Sequence, residues 1–419
     1  MKLTKVTSCI LLLALCFTLC CCTHESTSLT AEYTRSEAVP VYNFYSNEDI
    51  TPENYSNFTE SYMDFAANML INATDDENVV LSPLSLYNAL CMTAAGTNGK
   101  TLKELEKLLG ENMSISDINT FIHYLNCRVQ SLNSEEGKVT SANSIWINDT
   151  YSVKAQFLQT IVNYFDAEVF RTNLSDAKAA EEINRWVSKN TDGEIENLLS
   201  DLPDNTAMTL VNTLLFDDEW VTPYGENHIY EGTFNESETA CFMQSNEMLI
   251  KSSDAKGFVK SYKNTPLKLV AILPNEGVSL DEYVSSLSGS KLETLFESLN
   301  GIRRCEAHLP QFELRTKLSL NDTVKAMGCE LMFTEDANFD SLTMSKGLSV
   351  SDILQESFIK VTPKGTKAGS ATAVVVAPGA SETVESDFET LVFDRPFLFM
   401  IVENECNLPL FIGTVKTLR

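Results

Sequence analysis

Side chains that usually carry catalysis are thinly placed in this sequence. The four histidines, His24, His123, His228 and His308, stand apart, and none sits in an HExxH zinc-protease motif. There is no GxSxG nucleophile turn and no phosphate-cradling glycine loop. Among 58 Asp and Glu residues some carboxylate pair will meet by chance, so their number gives hydrolysis no support. One stretch stands out as something to be acted upon, Val361 to Arg395. From Thr366 to Val376 it is small, increasingly β-branched and uncharged apart from Lys367. Alternate residues of a strand share a face. Thr366, Ala368, Ser370, Thr372, Val374 and Val376 would form one that can lie against a core, and Lys367 falls on the other with Gly369 and Ala371. Beyond Val376 come Pro378, Gly379 and the acids Glu382, Glu385, Asp387 and Glu389, the composition of an exposed, cleavable loop. An ordinary edge strand and surface loop would look the same, so this stretch alone leaves both readings open.

The wider sequence favours one of them. Gly365-Thr366-Lys367-Ala368 and the small residues after it resemble the mobile hinge of the serpins. Phe393-Asp394-Arg395-Pro396-Phe397-Leu398-Phe399, with Pro409-Leu410-Phe411-Ile412-Gly413, is similar to that family's C-terminal signature. Asn78 to Ser85 resembles the segment that opens its second helix. Ala142 to Trp146, Leu210 to Thr213, Ile272 to Glu276 and Leu309 to Phe312 follow in family order. Each motif is weak alone; their order over roughly residues 60–419 is specific. The resemblance implies an α+β fold, with helices packed around three β-sheets and a long exposed reactive-centre loop near the C-terminus.

At 419 residues the chain could hold two or three average domains or one large one, and it shows no repeats and no internal linker. Lys2 and Lys5 precede an apolar run from Cys9 to Leu19, the length of a signal-peptide core and too short to span a bilayer. Export follows as the expectation, with a secreted or extracellular protein. Cys20, Cys21 and Cys22 end the run, and a Thr/Ser-rich segment continues to about Tyr45. That arrangement resembles a bacterial lipoprotein anchor: Leu19 stands three residues before Cys22, although Cys21 replaces the usual Gly or Ala. Plain secretion and a lipid tether to the membrane both stay open; one acyl chain binds modestly, several hold. The expected organisation is a leader over 1–22, a flexible tether over 23–55 and one domain over 56–419.

Six cysteines lie beyond the leader: Cys91, Cys127, Cys241, Cys305, Cys329 and Cys406. They form no CxxC pair and no zinc spacing, so buried free thiols and no metal or other cofactor are expected. Sequons such as those at Asn72 and Asn235 matter only if the producing cell glycosylates its exports. A formal charge of −27 with no basic cluster argues against nucleic acid and heparin-like polyanions as partners.

The first half reads mainly as helices. Thr101-Leu102-Lys103-Glu104 reads as a capping box opening a helix that Gly110 stops. Asp176 to Asn190 reads as another, with Ala180, Ile183 and Val187 on one face, Trp186 beside them, and a turn at Thr191-Asp192-Gly193. By resemblance this second helix lies across the main sheet, on the path of an inserting strand. The second half reads mainly as strands, among them Leu269–Leu273, Phe358–Val361 and Phe397–Val402.

The resemblance supplies a mechanism without a catalytic site. In serpins a protease cleaves the loop and forms an acyl-enzyme, and the hinge then inserts into the main sheet and drags the protease with it. Serpin insertion is itself a standard example of strand addition and strain release. The implied hinge is Gly365, Thr366, Lys367, Ala368, Gly369, Ser370, Ala371 and Thr372, and the implied shutter beneath the sheet is Ser82, Ser85, Asn212 and Gln355. Two positions depart from the family. Pro363 stands where a carboxylate is usual, which removes a backbone donor as well as a charge. Gln355 replaces a common histidine, so a pH response there is not expected. The usual loop length counted forward from the hinge puts the scissile bond at Gly379-Ala380, with Ala380-Ser381 as neighbour; counting back from Pro396 puts it at Glu385-Ser386, six residues on. The forward count is preferred, because it sets how far the protease travels. No Lys or Arg occurs between Ala368 and Asp394, so a trypsin-like pocket finds nothing, whereas Ala377, Gly379 and Ala380 suit elastase-like or subtilisin-like serine proteases, with a papain-like protease second. The expected partner is such a protease in covalent complex, and the expected state a monomer. The rival is a non-inhibitory serpin acting as a binding or carrier protein; such members tend to have bulky, charged or proline-containing hinges. A charged or bulky residue at Thr366 or Ala368 should turn inhibition into simple cleavage, read on a denaturing gel as cut protein without covalent complex.

Overall fold

Two sheets and a shell of helices position the hinge. The computed structural model describes residues 26–36, 52–73, 77–111, 113–131, 136–301, 303–367 and 389–418. The leader cysteines Cys20, Cys21 and Cys22, the hinge residues Ala368 to Thr372 and the bonds at Gly379, Ala380 and Ser381 lie outside the described residues. In chain order the helices are α1 (Pro52–Ala73), α2 (Pro83–Gly96), α3 (Gly99–Gly110), α4 (Ile115–Ser131), α5 (Ala155–Phe165), α6 (Ala177–Asn190), α7 (Leu280–Ser285), α8 (Gly289–Glu297) and α9 (Asn321–Ala326). The earlier strands are β1 (Thr27–Ser28), β2 (Val79–Leu81), β3 (Lys138–Asn148), β4 (Glu168–Thr172), β5 (Met208–Glu219), β6 (Ile229–Phe234), β7 (Glu238–Lys251) and β8 (Ala255–Ser261). The later ones are β9 (Leu267–Pro274), β10 (Arg304–Pro310), β11 (Phe312–Ser319), β12 (Asp352–Val361), β13 (Gly365–Lys367), β14 (Glu389–Val392), β15 (Phe397–Glu403) and β16 (Pro409–Val415).

The first sheet runs β1-β4-β3-β5-β13-β12-β11, and the second runs β14-β10-β7-β8-β9-β15-β16-β2 with β6 on β7. The second and third sheets implied by the resemblance thus run into one another. The long strand β7 makes the join, pairing with β10 over Phe242–Met248 and with β8 over Met248–Lys251. Apolar runs become strands covered on both faces: every residue of β9, β15 and β16 is buried. Helix α2 is buried nearly all round, and its polar side chains are bonded internally, Asn88 donating to the Leu84 carbonyl and Thr93 to the Ala89 carbonyl. Ser82 caps it and Pro83 starts it, a favoured pairing of residue and position.

Helix α6 begins and ends as its sequence implies. Asp176 caps it, accepting from the Lys178 amide at 3.0 Å, and Gly193 closes it at φ +83°. Its buried Ala180, Ile183, Trp186 and Val187 pack with Trp146, Phe170, Val211 and Leu354 on the first sheet.

Two expectations are corrected. The capping box at Thr101–Glu104 does not form, because α3 starts a turn earlier with Asn98 at its cap. Thr101 is buried inside the helix and accepts from the Asn338 amide at 3.0 Å, and Glu104 accepts from the Glu330 and Leu331 amides at 3.0 and 2.9 Å. Both side chains hold a distant loop instead of their own helix end. Residues 26–36, expected within a flexible tether over 23–55, are docked: β1 extends the first sheet along β4. No α-helix among the described residues is long and apolar enough to cross a membrane. Glu104→Ala should cost about 1–3 kcal/mol, the scale of hydrogen bonds to a charged group, and Thr101→Val less, as measured by denaturant unfolding.

Candidate functional site

The site is an opening in the first sheet. Strands β5 and β12 are parallel neighbours only at one end, Thr209–Asn212 against Asp352–Gln355. Beyond Asn212 and Gln355, Thr213–Phe216 pair outward with β3 and Glu356–Ile359 pair outward with β11, with no described ladder between them. At the far end β13 enters between the two, antiparallel to both. Thr366 stands opposite Asp218 and Val361, and Lys367 opposite Asp217 and Lys360. Gly365–Lys367 are therefore seated at the mouth of a gap that no described strand fills.

The mouth is held by close contacts. A Cβ on Gly365 would lie 2.2 Å from the Asp218 carbonyl oxygen and 2.8 Å from the Glu219 Cα, so only glycine lets the strands approach. Thr366 is buried, and its Oγ1 accepts from the Tyr262 hydroxyl at 2.6 Å. Burial pushes the Tyr262 phenol well up, so it remains a donor at neutral pH. Tyr262 stacks on Trp220, with centroids 4.5 Å apart, and Trp220 Nε1 donates to the Thr362 carbonyl at 2.9 Å. Lys260 pairs with Glu247 at 2.5 Å and lies 4.3 Å over the Tyr224 ring. Pro363 falls in the turn between β12 and β13, where the Thr362 amide donates to the Gly365 carbonyl at 2.9 Å. A fixed φ suits that position, and pairing with β5 starts only beyond it, at Gly365.

The closed end is held from beneath. The Gln355 amide clasps the Ser82 backbone, Oε1 accepting from its N–H at 2.9 Å and Nε2 donating to its carbonyl at 3.0 Å. Ser82 Oγ donates to Ser85 Oγ at 3.0 Å. Asn212 is the register partner of Gln355, but its side chain turns to Asn143 Oδ1 at 2.7 Å. Ser82, Ser85 and Gln355 are thus brought into one cluster, with Asn212 beside it. Asn143, Trp220 and Tyr262 were missed as site residues: Asn143 stood in a quoted motif without an assigned role, and the two aromatics meet the hinge only through register.

On the opposite face the slot is bridged by side chains. Leu215 and Phe358 form a small apolar contact of their own, and the Arg315 guanidinium lies 4.7 Å over the Phe358 ring while pairing with Glu356 at 2.6 Å. The Thr213 hydroxyl beside it is buried without a partner among the described residues.

The remaining reactive side chains are poorly placed for catalysis. The six described cysteines are free, and burial pushes the Cys305, Cys329 and Cys406 thiols up to about 12, far from thiolate at neutral pH. Cys127 lies 3.6 Å from His123 Nε2, but both side chains are buried.

A family model described as "Serpin (serine protease inhibitor)" matches residues 60–417. Human Serpin B4 is 29% identical over 368 residues, covering 81% of this chain and 93% of that protein. The native-state crystal structure of tengpin, a thermophilic serpin, is 33% identical, covers 94% of this chain and all of its own, and superposes with a TM-score of 0.82; its latent-state structure gives 0.75. Thyroxine-binding globulin in complex with thyroxine gives a TM-score of 0.75 at 24% identity, covering 86% of this chain and 99% of its own, a likeness of fold alone.

Gln355→Ala leaves the buried Ser82 amide unpaired, while the Ser82 carbonyl keeps the Leu86 amide at 3.2 Å, and should cost about 1–3 kcal/mol. The expected readouts are a lower unfolding midpoint and a faster loss of the native form on warming, measured by native gel.

Proposed function

Because the chain belongs to the serpin family, we propose that it is a suicide-substrate inhibitor of serine proteases. The observation that carries the reading is β13, already paired with β5 and β12 at the mouth of an open slot. Extending that register along β5 sets Ala368, Gly369, Ser370 and Ala371 opposite Phe216, Leu215, Leu214 and Thr213. Extending it along β12 sets them opposite Ile359, Phe358, Ser357 and Glu356. Both extensions bring Thr372 to Asn212 and Gln355, which are partners of each other. Four small residues would fill the slot, and the fifth would be the first to displace an existing pair. Gly369 would arrive between Leu215 and Phe358, on the face where those side chains touch. Glycine there disturbs the contact least.

The chemistry belongs to the protease. Its serine attacks the loop carbonyl of Gly379, an ester forms, and the Ala380 amine leaves. Insertion then carries the acyl-enzyme along the sheet before water can release it. Small residues at Ala377, Gly379 and Ala380 favour elastase-like or subtilisin-like targets over trypsin-like ones. The greater likeness to the native than to the latent tengpin structure supports an uninserted, metastable starting state. A non-inhibitory carrier remains the second reading, since thyroxine-binding globulin shares the fold. The uncharged, small hinge beyond Lys367 favours inhibition. We further propose export through the leader at residues 1–22, and acylation of the chain in the Cys20–Cys22 cluster, with Cys22 the best placed.

Mixing the protein with a pancreatic-type elastase should give an SDS-stable complex, and mass spectrometry of the released peptide should give an N-terminus at Ala380. Cleavage without complex, and without a rise in thermal stability of the cut protein, would overturn the insertion reading.

A further inference from the structure

We propose that the N-terminal segment Ser26–Ser36 orients the protein on a lipid surface, setting the far pole of the first sheet against the bilayer and the reactive loop away from it. The inference rests on the acylation reading above and goes beyond it.

The segment is tied to three elements. Ser26 N–H donates to Glu182 Oε2 on α6 at 2.9 Å. Thr27 and Ser28 pair with Arg171 and Phe170 on β4, the Leu29 amide donates to the Val169 carbonyl at 2.7 Å, and the Val169 amide donates to Thr30 Oγ1 at 3.2 Å. Further on, Gln159 Nε2 on α5 donates to the Thr34 carbonyl at 2.8 Å, and the Ser36 amide donates to Asn163 Oδ1 at 2.9 Å. Thr30 is buried. These ties fix where the chain enters the fold.

Register gives the direction of entry. The hinge row crosses the sheet as Lys367, Asp217 and Lys138. The entry row crosses it as Thr27, Arg171, Ile147 and Met208. Lys138 and Ile147 lie on the same strand, nine residues apart, which is roughly 30 Å at 3.3 Å per residue. Strand β3 runs from the hinge end to the far end, β4 runs parallel to it, and β1 is antiparallel to β4. Strand β1 therefore points towards the hinge end, and Ser26 stands at the end of it that faces the far end.

Chain length closes the argument. Four Cα-to-Cα steps lead from Cys22 to Ser26, a reach of at most about 14 Å when fully extended, and the six steps from Cys20 reach about 21 Å. Neither covers the roughly 30 Å to the hinge row. An acyl chain at any of the three cysteines holds the far pole close to the headgroups. The formal charge of −27 resists lying flat on an anionic surface, so the loop end stays out in solvent where proteases approach. A free tether over 23–55 would have allowed any orientation.

The test uses the full chain, purified from producing-cell membranes and reconstituted into phosphatidylcholine–phosphatidylglycerol vesicles with a headgroup-linked acceptor dye. A fluorescent amino acid is placed at one of two exposed ends of the same strand, Lys138 near the hinge or Asp149 at the far turn. With the two sites roughly 36 Å apart, energy transfer to the headgroups should be at least about twofold greater from 149 than from 138. Inserting about twenty Gly/Ser residues between Cys22 and Ser26 should erase the difference by freeing the body. An N-terminal peptide without an acylated cysteine would overturn both the anchor and the orientation. An acylated peptide with equal or reversed transfer would overturn the orientation alone.

Discussion

The structure turns on a gap in its first sheet that no described strand fills. Strands β5 and β12 meet at Thr209–Asn212 and Asp352–Gln355, and are parted by β13 at the other end. Between those ends the facing backbone edges forgo a ladder in which each bond is worth a net 0.5–1.5 kcal/mol or about that. A sheet would ordinarily close such a gap, because unpaired backbone groups are costly when buried. Both of its ends are pinned. Gln355 clasps the Ser82 backbone at one end, and the Tyr262–Trp220 stack holds Thr366 and the turn at Pro363 at the other.

These two pins do different work. In the insertion we propose, the upper one would seat the start of the hinge in register, so that the strand need not search for its alignment. The lower one would be the barrier. Advance beyond the slot must part the Asn212–Gln355 row, and α6 lies over the next rows with Val211 and Leu354 beneath it. An uncharged amide at Gln355 makes the lower pin insensitive to pH, where a histidine would have lost one acceptor on protonation. Pro363 costs little at the upper pin, because it occupies a turn and its carbonyl is taken by the Tyr224 amide.

What could be read in the sequence follows from how local each signal is. The small residues after Gly365 and the motif order identified the hinge, and Asp176 with Gly193 marked both ends of α6, because capping is settled within a few residues. Thr101 and Glu104 had the right spacing for a capping box, yet a loop more than two hundred residues away claims both side chains, and spacing alone cannot register that competitor. Ser82, Ser85 and Gln355 were placed together only by family resemblance; nothing in their own neighbourhoods says that they meet. Tyr262 and Trp220 gave no signal, since their role depends on which row of β5 faces Thr366. Residues 26–36 were misread because a polar, Ser/Thr-rich segment looks the same as a tether and as a strand bound through its backbone. Backbone pairing to an open sheet edge asks little of side chains.

The alternation noticed in the sequence acquires its meaning from that geometry. On insertion in this register, Thr366 and then Ala368, Ser370 and Thr372 would continue the inward side of β5, where Leu214, Phe216 and Asp218 are buried. Lys367 and then Gly369 and Ala371 would continue the outward side, where Leu215 touches Phe358 and the Thr213 hydroxyl has no partner among the described residues. The inward positions need small side chains because the core beneath is already packed, and packed interiors absorb added volume poorly. The outward positions need still smaller ones, because a strand arriving there must pass under an existing apolar contact. The charge on Lys367 is tolerated because its row, with Asp217 and Lys360, lies at the mouth and not in the slot. The same rule that sets a strand's two faces therefore explains why the hinge can carry one lysine at its start and none beyond it.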